Sequence, residues 1–400
     1  MGAMPDGSAL RIAIVAGETS GDALGGALIR ALRERVPQIQ VCGLTGPAMR
    51  EAGCETLADV RELSVMGFID PMKQLPRLLR LRSMLVRRII AFEPDAFVGI
   101  DSPAFNLMLA KRFKASGIAT VQYVSPQIWA WRQGRVRSIA RHCDLVLCLL
   151  PFEPEFYRSH AVRAEFVGHP LADQIPLHPD RDAARRSVGL DTQASQPVLA
   201  LLPGSRLSEV HQLARPFIAA AIALHRRQPQ LRVLAPMANP AVHAEFMRAL
   251  RATPGGGGLP LRVLDGQARE VLTAADAALI ASGTATLQAL LCRCPMIVAY
   301  RFGAFTAFVL RALKLVRVKY FSLPNLLSGE QVAPEFFQEA VTAENLSAAA
   351  ERALVDTDRR RYLDQKFLQV HQTLRAGGAE RAADEILKIL RERRAQPSDT

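Results

Sequence analysis

The sequence predicts an α/β protein of two Rossmann-like halves facing each other across a cleft. Three observations carry this. Short apolar runs recur along the chain, each bounded by Gly, Pro, Ser or Asp and followed by residues of helical spacing, which is the pattern of a parallel sheet covered on both faces. The pattern begins at Arg11 and begins again at Pro197. The 400 residues are long for one core and comfortable for two.

The first strand is Arg11-Ile12-Ala13-Ile14-Val15-Ala16. Gly17-Glu18-Thr19-Ser20-Gly21-Asp22 follows as a tight polar loop. Residues 23–35 then carry helical spacing, with Leu24, Ala27, Leu28, Ala31 and Leu32 on one face. Further strands are expected at 96–100, 120–124 and 144–149, with helices between them. The second half restarts with the strand Pro197-Val198-Leu199-Ala200-Leu201-Leu202, the loop Pro203-Gly204-Ser205-Arg206 and a helix over 208–227. Strands recur at 231–235, 261–264, 277–280 and 296–300, and Gly255-Gly256-Gly257-Gly258 reads as a flexible surface loop. The boundary falls near Gly168-His169-Pro170. The expected domains are 9–170 and 171–342, followed by charged helices over 343–394 that pack across both.

Composition narrows the function. Hydrophobic residues make up 49% and charged residues 22%, which suits ordinary globular cores. Fifty Lys and Arg against 38 Asp and Glu leave a formal charge of +12, so an acidic partner is expected: nucleic acid, anionic lipid or phosphorylated substrate. Aromatic residues are only 6%, and no RNP-like or zinc-finger pattern occurs, which argues against nucleic acid. Cys42, Cys54, Cys143, Cys148, Cys292 and Cys294 form no C-x-x-C pair and no zinc-spaced group with His; buried free thiols in a reducing cytosol are expected. Met1 to Ser8 lack the apolar core of a signal peptide, and no apolar run reaches the roughly 18–20 residues of a membrane span. The expected location is the cytoplasm, or a membrane surface reached from it.

In a doubly wound sheet, ligands bind beyond the carboxyl ends of the strands, where helix N-termini offer free N–H groups to phosphate. Three loops have this form. Gly17–Asp22 is neither G-x-G-x-x-G nor a Walker A loop, which disfavours a dinucleotide or ATP. A turn capped by Thr19 or Ser20 explains its glycines but not Glu18 and Asp22, which make it a candidate wall of the acceptor site together with Ser20. In Leu202-Pro203-Gly204-Ser205-Arg206, Gly204 admits a close ligand, Ser205 donates to a phosphate oxygen and Arg206 clamps a diphosphate bidentately; a helix N-cap and a surface Arg are the alternative. In Ala281-Ser282-Gly283-Thr284-Ala285-Thr286-Leu287-Gln288, Ser282, Gly283 and Thr284 make a small anion nest and Gln288 reaches for a ribose; a plain capped helix is the alternative. The second half thus holds a nucleoside diphosphate, and the first holds what attacks it.

An attacking hydroxyl needs a base. Asp101 ends the strand in Val98-Gly99-Ile100-Asp101-Ser102-Pro103, where its carboxylate meets the cleft, although an Asp before Pro is also a common turn cap. His169, at the inter-domain crossing, either touches ligand or packs in a hinge. Trp129 and Trp131 either line an acceptor pocket or belong to core or rim. D-x-D, the common metal-binding signature of sugar transfer, occurs at Asp180-Arg181-Asp182 and Asp356-Thr357-Asp358, but both read as helix starts. No metal and no cofactor are expected; Arg206 and helix dipoles take the leaving charge.

The segment 63–88 differs from the rest. Val65, Met66, Phe68, Ile69 and Met72 form an apolar, poorly periodic wedge, rimmed by Arg77, Arg80 and further arginines. This is the pattern of interfacial membrane binding, with a helix bearing a solvated basic face as the alternative.

Six segments, in order, resemble the lipid-A-disaccharide synthase family, glycosyltransferases of the two-Rossmann GT-B fold. They are Val15-Ala16-Gly17-Glu18-Thr19-Ser20-Gly21-Asp22, Val98-Gly99-Ile100-Asp101, Tyr123-Val124-Ser125-Pro126, Trp129-Ala130-Trp131-Arg132-Gln133, Leu201-Leu202-Pro203-Gly204-Ser205-Arg206 and Ser322-Leu323-Pro324-Asn325-Leu326-Leu327. The resemblance implies transfer from UDP-2,3-diacylglucosamine to 2,3-diacylglucosamine 1-phosphate (lipid X), giving the β-1,6-linked lipid A disaccharide 1-phosphate and UDP. It implies that Asp101 is the base on the acceptor 6-hydroxyl, with inversion at the anomeric carbon. Arg206 then binds the UDP diphosphate, and Asn325, by its residues alone a turn position after Pro324, completes the site. The implied partners are the two lipid substrates, the inner face of the inner membrane and a second copy of the chain. Two departures stand out. The family often reads Asp-x-Pro-Asp where this chain has Asp101-Ser102-Pro103-Ala104, and often has Glu where it has Gln288. A UDP-sugar 2-epimerase of the same fold and a basic nucleic-acid-binding protein are the alternatives.

Overall fold

The computed structural model describes residues 9–64, 71–129, 133–191, 196–301 and 320–395, without the side chains at 64, 71–75 and 133. The chain divides into two units, residues 1–173 with 374–400, and residues 174–373. Among the described residues each unit holds one parallel sheet.

In the first unit the strands are β1 (Arg11–Ala16), β2 (Gln40–Thr45), β3 (Glu55–Asp59), β4 (Ala96–Ile100), β5 (Ala119–Tyr123), β6 (Leu145–Cys148) and β7 (Ala164–Phe166). They lie in the order β3-β2-β1-β4-β5-β6-β7. β1, β4 and β5 are buried almost throughout, as apolar runs covered on both faces require. The helix Thr19–Arg35 buries Leu28, Ile29 and Leu32 in the core beside Ala382, Ala383, Ile386 and Leu390 of the last helix, Gly378–Ala395. The helix Pro71–Phe92 buries Leu81, Leu85 and Ile89, spaced four apart.

In the second unit the strands are β8 (Val198–Leu202), β9 (Arg232–Met237), β10 (Leu261–Asp265), β11 (Ala277–Ala281), β12 (Met296–Tyr300) and β13 (Glu335–Phe337), in the order β10-β9-β8-β11-β12-β13. The helix Leu207–Arg227 buries Val210, Leu213, Ala214, Phe217 and Ile218, and the helix Ala343–Val355 adds Leu346, Ala349 and Ala350 to the same core.

Several expectations change. The first helix begins at Thr19, so Ser20 and Asp22 are helical rather than in a loop. The helices of 343–394 are divided between the units: Ala343–Val355 and the helix Thr357–Leu374 (to residue 373) fall in the second, and Gly378–Ala395 in the first. The glycine run is not a free loop. Gly256–Gly258 is a 3-10 turn, and Gly256 is buried so close to Leu250 that a Cβ would lie 2.3 Å from its carbonyl oxygen. The six cysteines are free and buried.

The amino edges of both sheets are closed by one repeated device, an Asp immediately before a strand. Asp95 accepts the Arg11 N–H (2.8 Å), Asp144 that of Thr120 (2.8 Å) and Asp276 that of Val198 (2.8 Å). Each carboxylate also meets cations: Arg394 on Asp95, Lys114 and Arg393 on Asp144, and Arg181, Arg185 and Arg360 on Asp276. Asp276 is 8% exposed, so its charge is held by these partners rather than by water. Asp276→Ala is expected to lower the stability of the second unit by about 2–3 kcal/mol, since it strands three guanidinium groups and a backbone N–H. Denaturant unfolding checks this, and an unshifted midpoint contradicts it.

Candidate active site

Each sheet has one place where successive crossovers turn opposite ways. In the first it lies between β1 and β4, in the second between β8 and β11. Open α/β sheets bind ligands at such points, beyond the carboxyl ends. Gly17 and Asp101 directly follow β1 and β4; Pro203–Arg206 and Ser282–Thr284 follow β8 and β11. The loops singled out by sequence are therefore paired at the two switch points.

In the first unit the pair is tightly interlocked. The Gly17 N–H donates to the Ile100 carbonyl (3.1 Å), and a Cβ on Gly17 would lie 2.0 Å from the Ser102 Oγ. Asp101 and Ser102 both have left-handed backbones (φ 54° and 38°), as does the β-branched Val124 at the end of β5 (φ 73°). Non-glycine residues persist there only when their surroundings hold them. Buried Asn106 supplies part of that hold: its Nδ2 donates to the carbonyls of Asp101 (2.8 Å) and Ile100 (3.2 Å). Gln122 Nε2 donates to the Asp101 carbonyl (3.2 Å) and to that of Val124 (3.3 Å). The half-buried Asp101 side chain accepts only its neighbour's N–H, from Ser102 at 2.8 Å, among the described residues. Strain and the open carboxylate coincide at this position.

The other acidic candidate there has a different task. Asp22 is 2% exposed and accepts N–H groups from Gly46 (2.7 Å), Ala48 (2.8 Å) and Met49 (3.1 Å), at the start of the helix Pro47–Glu51. Its carboxylate caps a neighbouring helix and is closed to a ligand. Glu18 is the N-cap residue of Thr19–Arg35 without a side-chain cap bond, so neither Thr19 nor Ser20 plays that part; all three are exposed.

Trp129 is half-buried, edge-on to Phe152 at 4.9 Å, and its indole N–H donates to Glu153 Oε1 (3.1 Å). Glu153, which sequence reasoning missed, is 2% exposed and also accepts the Leu150 N–H (3.0 Å). Burial pushes its carboxyl up to about 7, against those N–H donors. Trp131 lies outside the described residues.

His169 belongs to the paired chain crossings. Its N–H donates to the Leu374 carbonyl (2.9 Å), and its Nδ1 accepts the Leu171 N–H (3.2 Å). Gly377 and Gly378 donate to Asp173 alongside. Burial lowers the imidazole to about 4, so it is neutral at physiological pH and carries its proton on Nε2.

In the second unit, Arg206, Glu209, Ser282, Gly283, Tyr300 and Arg301 line one cavity of about 860 Å³. Gly204 (φ +132°) and Gly283 (φ +130°) turn the two loops into it. The Arg206 side chain is 80% exposed. Thr284 is exposed and Gln288, one turn on, is half-buried. The backbone N–H groups of Ser205 and Arg206 already bond Glu209 Oε2 (3.0 and 3.4 Å). Glu209 Oε1 also accepts Arg206 Nη1 (3.3 Å).

Asn325 is not in the cavity lining. It is fully buried: Nδ2 donates to the Ala333 carbonyl and Glu335 Oε1 (both 2.8 Å), and Oδ1 accepts the Val332 and Ala333 N–H groups (both 2.8 Å). All four of its hydrogen-bonding positions are thereby filled. Glu335 in turn accepts the Ser322 N–H (2.8 Å), so Asn325 organises this loop rather than touching a ligand.

Asp180 accepts the Ala183 N–H and Asp356 that of Arg359, so the leading Asp of each D-x-D is a helix cap. In the basic-apolar segment, Arg77, Arg80 and Leu79 are exposed. Val65, Met66, Phe68 and Ile69, and the side chain of Met72, lie outside what is described. Among the described residues no helix is long and apolar enough to cross a membrane.

Two parallel α/β units, with paired loops at each switch point and a cation beside the second, define a protein of the GT-B fold class, and solved structures agree on the fold. The kitacinnamycin glycotransferase superposes with a TM-score of 0.59 at 19% identity, covering 95% of this chain and 99% of that one. The UDP-GlcNAc 2-epimerase of Neisseria meningitidis, bound to UDP-GlcNAc, gives 0.61 at 11% identity, covering 96% of this chain and all of the epimerase. Fold alone therefore does not separate transfer from epimerisation; sequence does. The family model of lipid-A-disaccharide synthetase matches residues 12–389. The lipid-A-disaccharide synthase of Alkalilimnicola ehrlichii is 48% identical over 94% of this chain and 98% of its own, and that of Erwinia tasmaniensis 46% over 96% and 99%. The chain belongs to the lipid-A-disaccharide synthase family.

Glu153 gives this site a pH signature. Its folded carboxyl titrates at about 7, above the ordinary 4.5, so the folded state keeps a proton that the unfolded chain releases between those values. The associated stability is fully present below 4.5 and is lost as pH rises through 7. Glu153→Gln is expected to flatten this fall, seen as denaturant midpoints that no longer drop between roughly pH 5 and pH 8.

Proposed function

We propose that the chain transfers the diacylglucosamine unit of UDP-2,3-diacylglucosamine to the 6-hydroxyl of lipid X, giving the β-1,6-linked disaccharide 1-phosphate and UDP. Membership of the lipid-A-disaccharide synthase family over nearly the whole chain supports this chemistry. The observation that carries the division of labour is the cavity in which the β8 and β11 loops meet beside Arg206. The donor diphosphate takes that cavity, with Ser282 and Gly283 on its wall and Thr284 and Gln288 following in the helix, Gln288 toward the ribose.

Asp101 accepts the proton of the acceptor 6-hydroxyl as its oxygen bonds the anomeric carbon. The bond from that carbon to the donor phosphate oxygen breaks, UDP leaves with the electron pair, and the configuration inverts. Arg206 and the helix N-termini of the β8 and β11 loops neutralise the charge that builds on the diphosphate, which removes the need for a metal. The strained turn at Asp101–Ser102 supports this assignment, because strain of this kind gathers where a group must be aimed. With Ala104 in place of a second carboxylate, more of the base role falls on Asp101. The exposed arginines and Leu79 of Pro71–Phe92 suit an anionic membrane surface, where both lipid substrates reside, and support a peripheral position on its cytoplasmic face.

Asp101→Asn is expected to lower kcat by 10²-fold or more (on the order of what a general base supplies) with little change in UDP affinity, measured as UDP release with both acylated substrates. A folded variant with near-normal turnover rejects the assignment. Arg206→Ala is expected to weaken UDP binding by roughly ten-fold or more, read by calorimetry, since a charge-assisted clamp is lost.

A further inference from the structure

The most telling feature outside that scheme is an anion the chain supplies to its own donor loop. Glu209 lines the cavity and sends one carboxylate oxygen to the Ser205 and Arg206 N–H groups and the other to the Arg206 guanidinium. These are two backbone donors and one cation, the set a phosphate would take. The loop is shaped around this carboxylate. A Cβ on Gly204 would lie 2.4 Å from Glu209 Oε2 and 2.4 Å from its Cβ, so only glycine permits the arrangement. Glu209 stands in the first turn of Leu207–Arg227, and its side chain is 28% exposed, so rotation about its own bonds can take it out of the nest. Arg206, 80% exposed, can stay at the loop and exchange the carboxylate for a phosphate.

Building on the donor-site reading above, we propose that Glu209 is a resident competitor of the nucleoside diphosphate. It fills the nest when the cavity is empty, yields to the diphosphate on binding, and returns to help expel UDP after transfer. A carboxylate and a diphosphate cannot share the same donors without strong repulsion, so the negative charge of Glu209 subtracts from UDP affinity. A simple helix cap has the opposite sign: loosening it would disorder the loop and weaken UDP.

The sign is therefore the test. Wild type, Glu209→Gln and Arg206→Ala are titrated with UDP, inorganic pyrophosphate and uridine by calorimetry at two salt concentrations. Glu209→Gln keeps an oxygen to accept the loop N–H groups but removes the charge. It is expected to bind UDP and pyrophosphate roughly five-fold or more tighter, by a margin that shrinks with salt, and to bind uridine as the wild type does. In turnover assays the same variant is expected to be inhibited by UDP at correspondingly lower concentration. Equal or weaker UDP and pyrophosphate binding by Glu209→Gln overturns the proposal while leaving the donor site standing. Unchanged UDP affinity in Arg206→Ala instead rejects the donor-site reading, and the proposal with it.

Discussion

The amino and carboxyl edges of these sheets are treated in opposite ways, and the contrast rests on one interaction. An Asp one residue ahead of a strand accepts an N–H at the start of the neighbouring strand, from its first or second residue, and is neutralised by an arginine or lysine. Asp95 does this for β1 and β4, Asp144 for β5 and β6, and Asp276 for β8 and β11. Two of these three strand pairs flank the switch points. The pairs that must stay in register for the site to exist are thus clamped at their far ends, where no ligand binds. The arginines on Asp95, Asp144 and Asp276 come partly from the C-terminal helices, which explains why these are charged yet ordered. Partnered carboxylates at a buried edge are costly to break, so register is fixed by contacts that catalysis never disturbs.

At the carboxyl edges the problem is reversed: helix N-termini leave N–H groups that need partners. The chain answers with local carboxylates. Asp22 serves the helix Pro47–Glu51, Glu335 serves the turn at Phe321 and Ser322, and Glu209 serves Ser205 and Arg206. The three differ in burial. Asp22 is sealed in, and Glu335 is tied to fully buried Asn325, but Glu209 borders a cavity. The same motif is buried at the first two positions and borders an open space at the third, which is what the proposed exchange requires.

Much of this architecture was legible in the sequence because parallel strands buried on both faces must be continuously apolar. β1, β4, β11 and β12 are such runs and were read within a residue. β3, β7 and β13, polar or short, lie at sheet edges where burial on two faces is not demanded. β2 escaped for another reason: its apolar run is broken by Gly43, required because a Cβ there would sit 1.7 Å from the Ile14 carbonyl. The site shows a similar divide. Loops that end strands were found, because small residues after an apolar run are a local signal. Side chains whose task depends on distant partners were not. Asp22, and by resemblance Asn325, were candidates for ligand contact; Asp22 is saturated by backbone groups more than twenty residues away, and Asn325 by backbone groups and the Glu335 carboxylate. Glu209 was missed because its N-cap partner is Arg206, which breaks the Ser/Thr-x-x-Glu pattern of a capping box. Sequence reported which loops matter; it did not report which of their hydrogen bonds were already made.

That distinction bears on how the donor loop functions. A loop ready for a diphosphate must hold several N–H groups convergent before the ligand arrives, and convergent unpaired donors repel one another and cost free energy in a folded chain. An internal carboxylate removes the conflict. It lets Gly204 keep its left-handed turn and Arg206 its place at the helix head in the absence of ligand, so the ordering cost is met in folding rather than in binding. Preorganised donors are what stabilise a leaving group as its charge grows, since they need not reorient at the moment of bond breaking. On the exchange proposed above, the cost of this arrangement is weaker ground-state binding of the diphosphate, because the resident anion must first give way. For a transferase that cost is useful: tight binding of product would slow every cycle, whereas interactions that strengthen as the donor bond breaks raise turnover. A loop that is rigid, anion-shaped and already filled meets both demands.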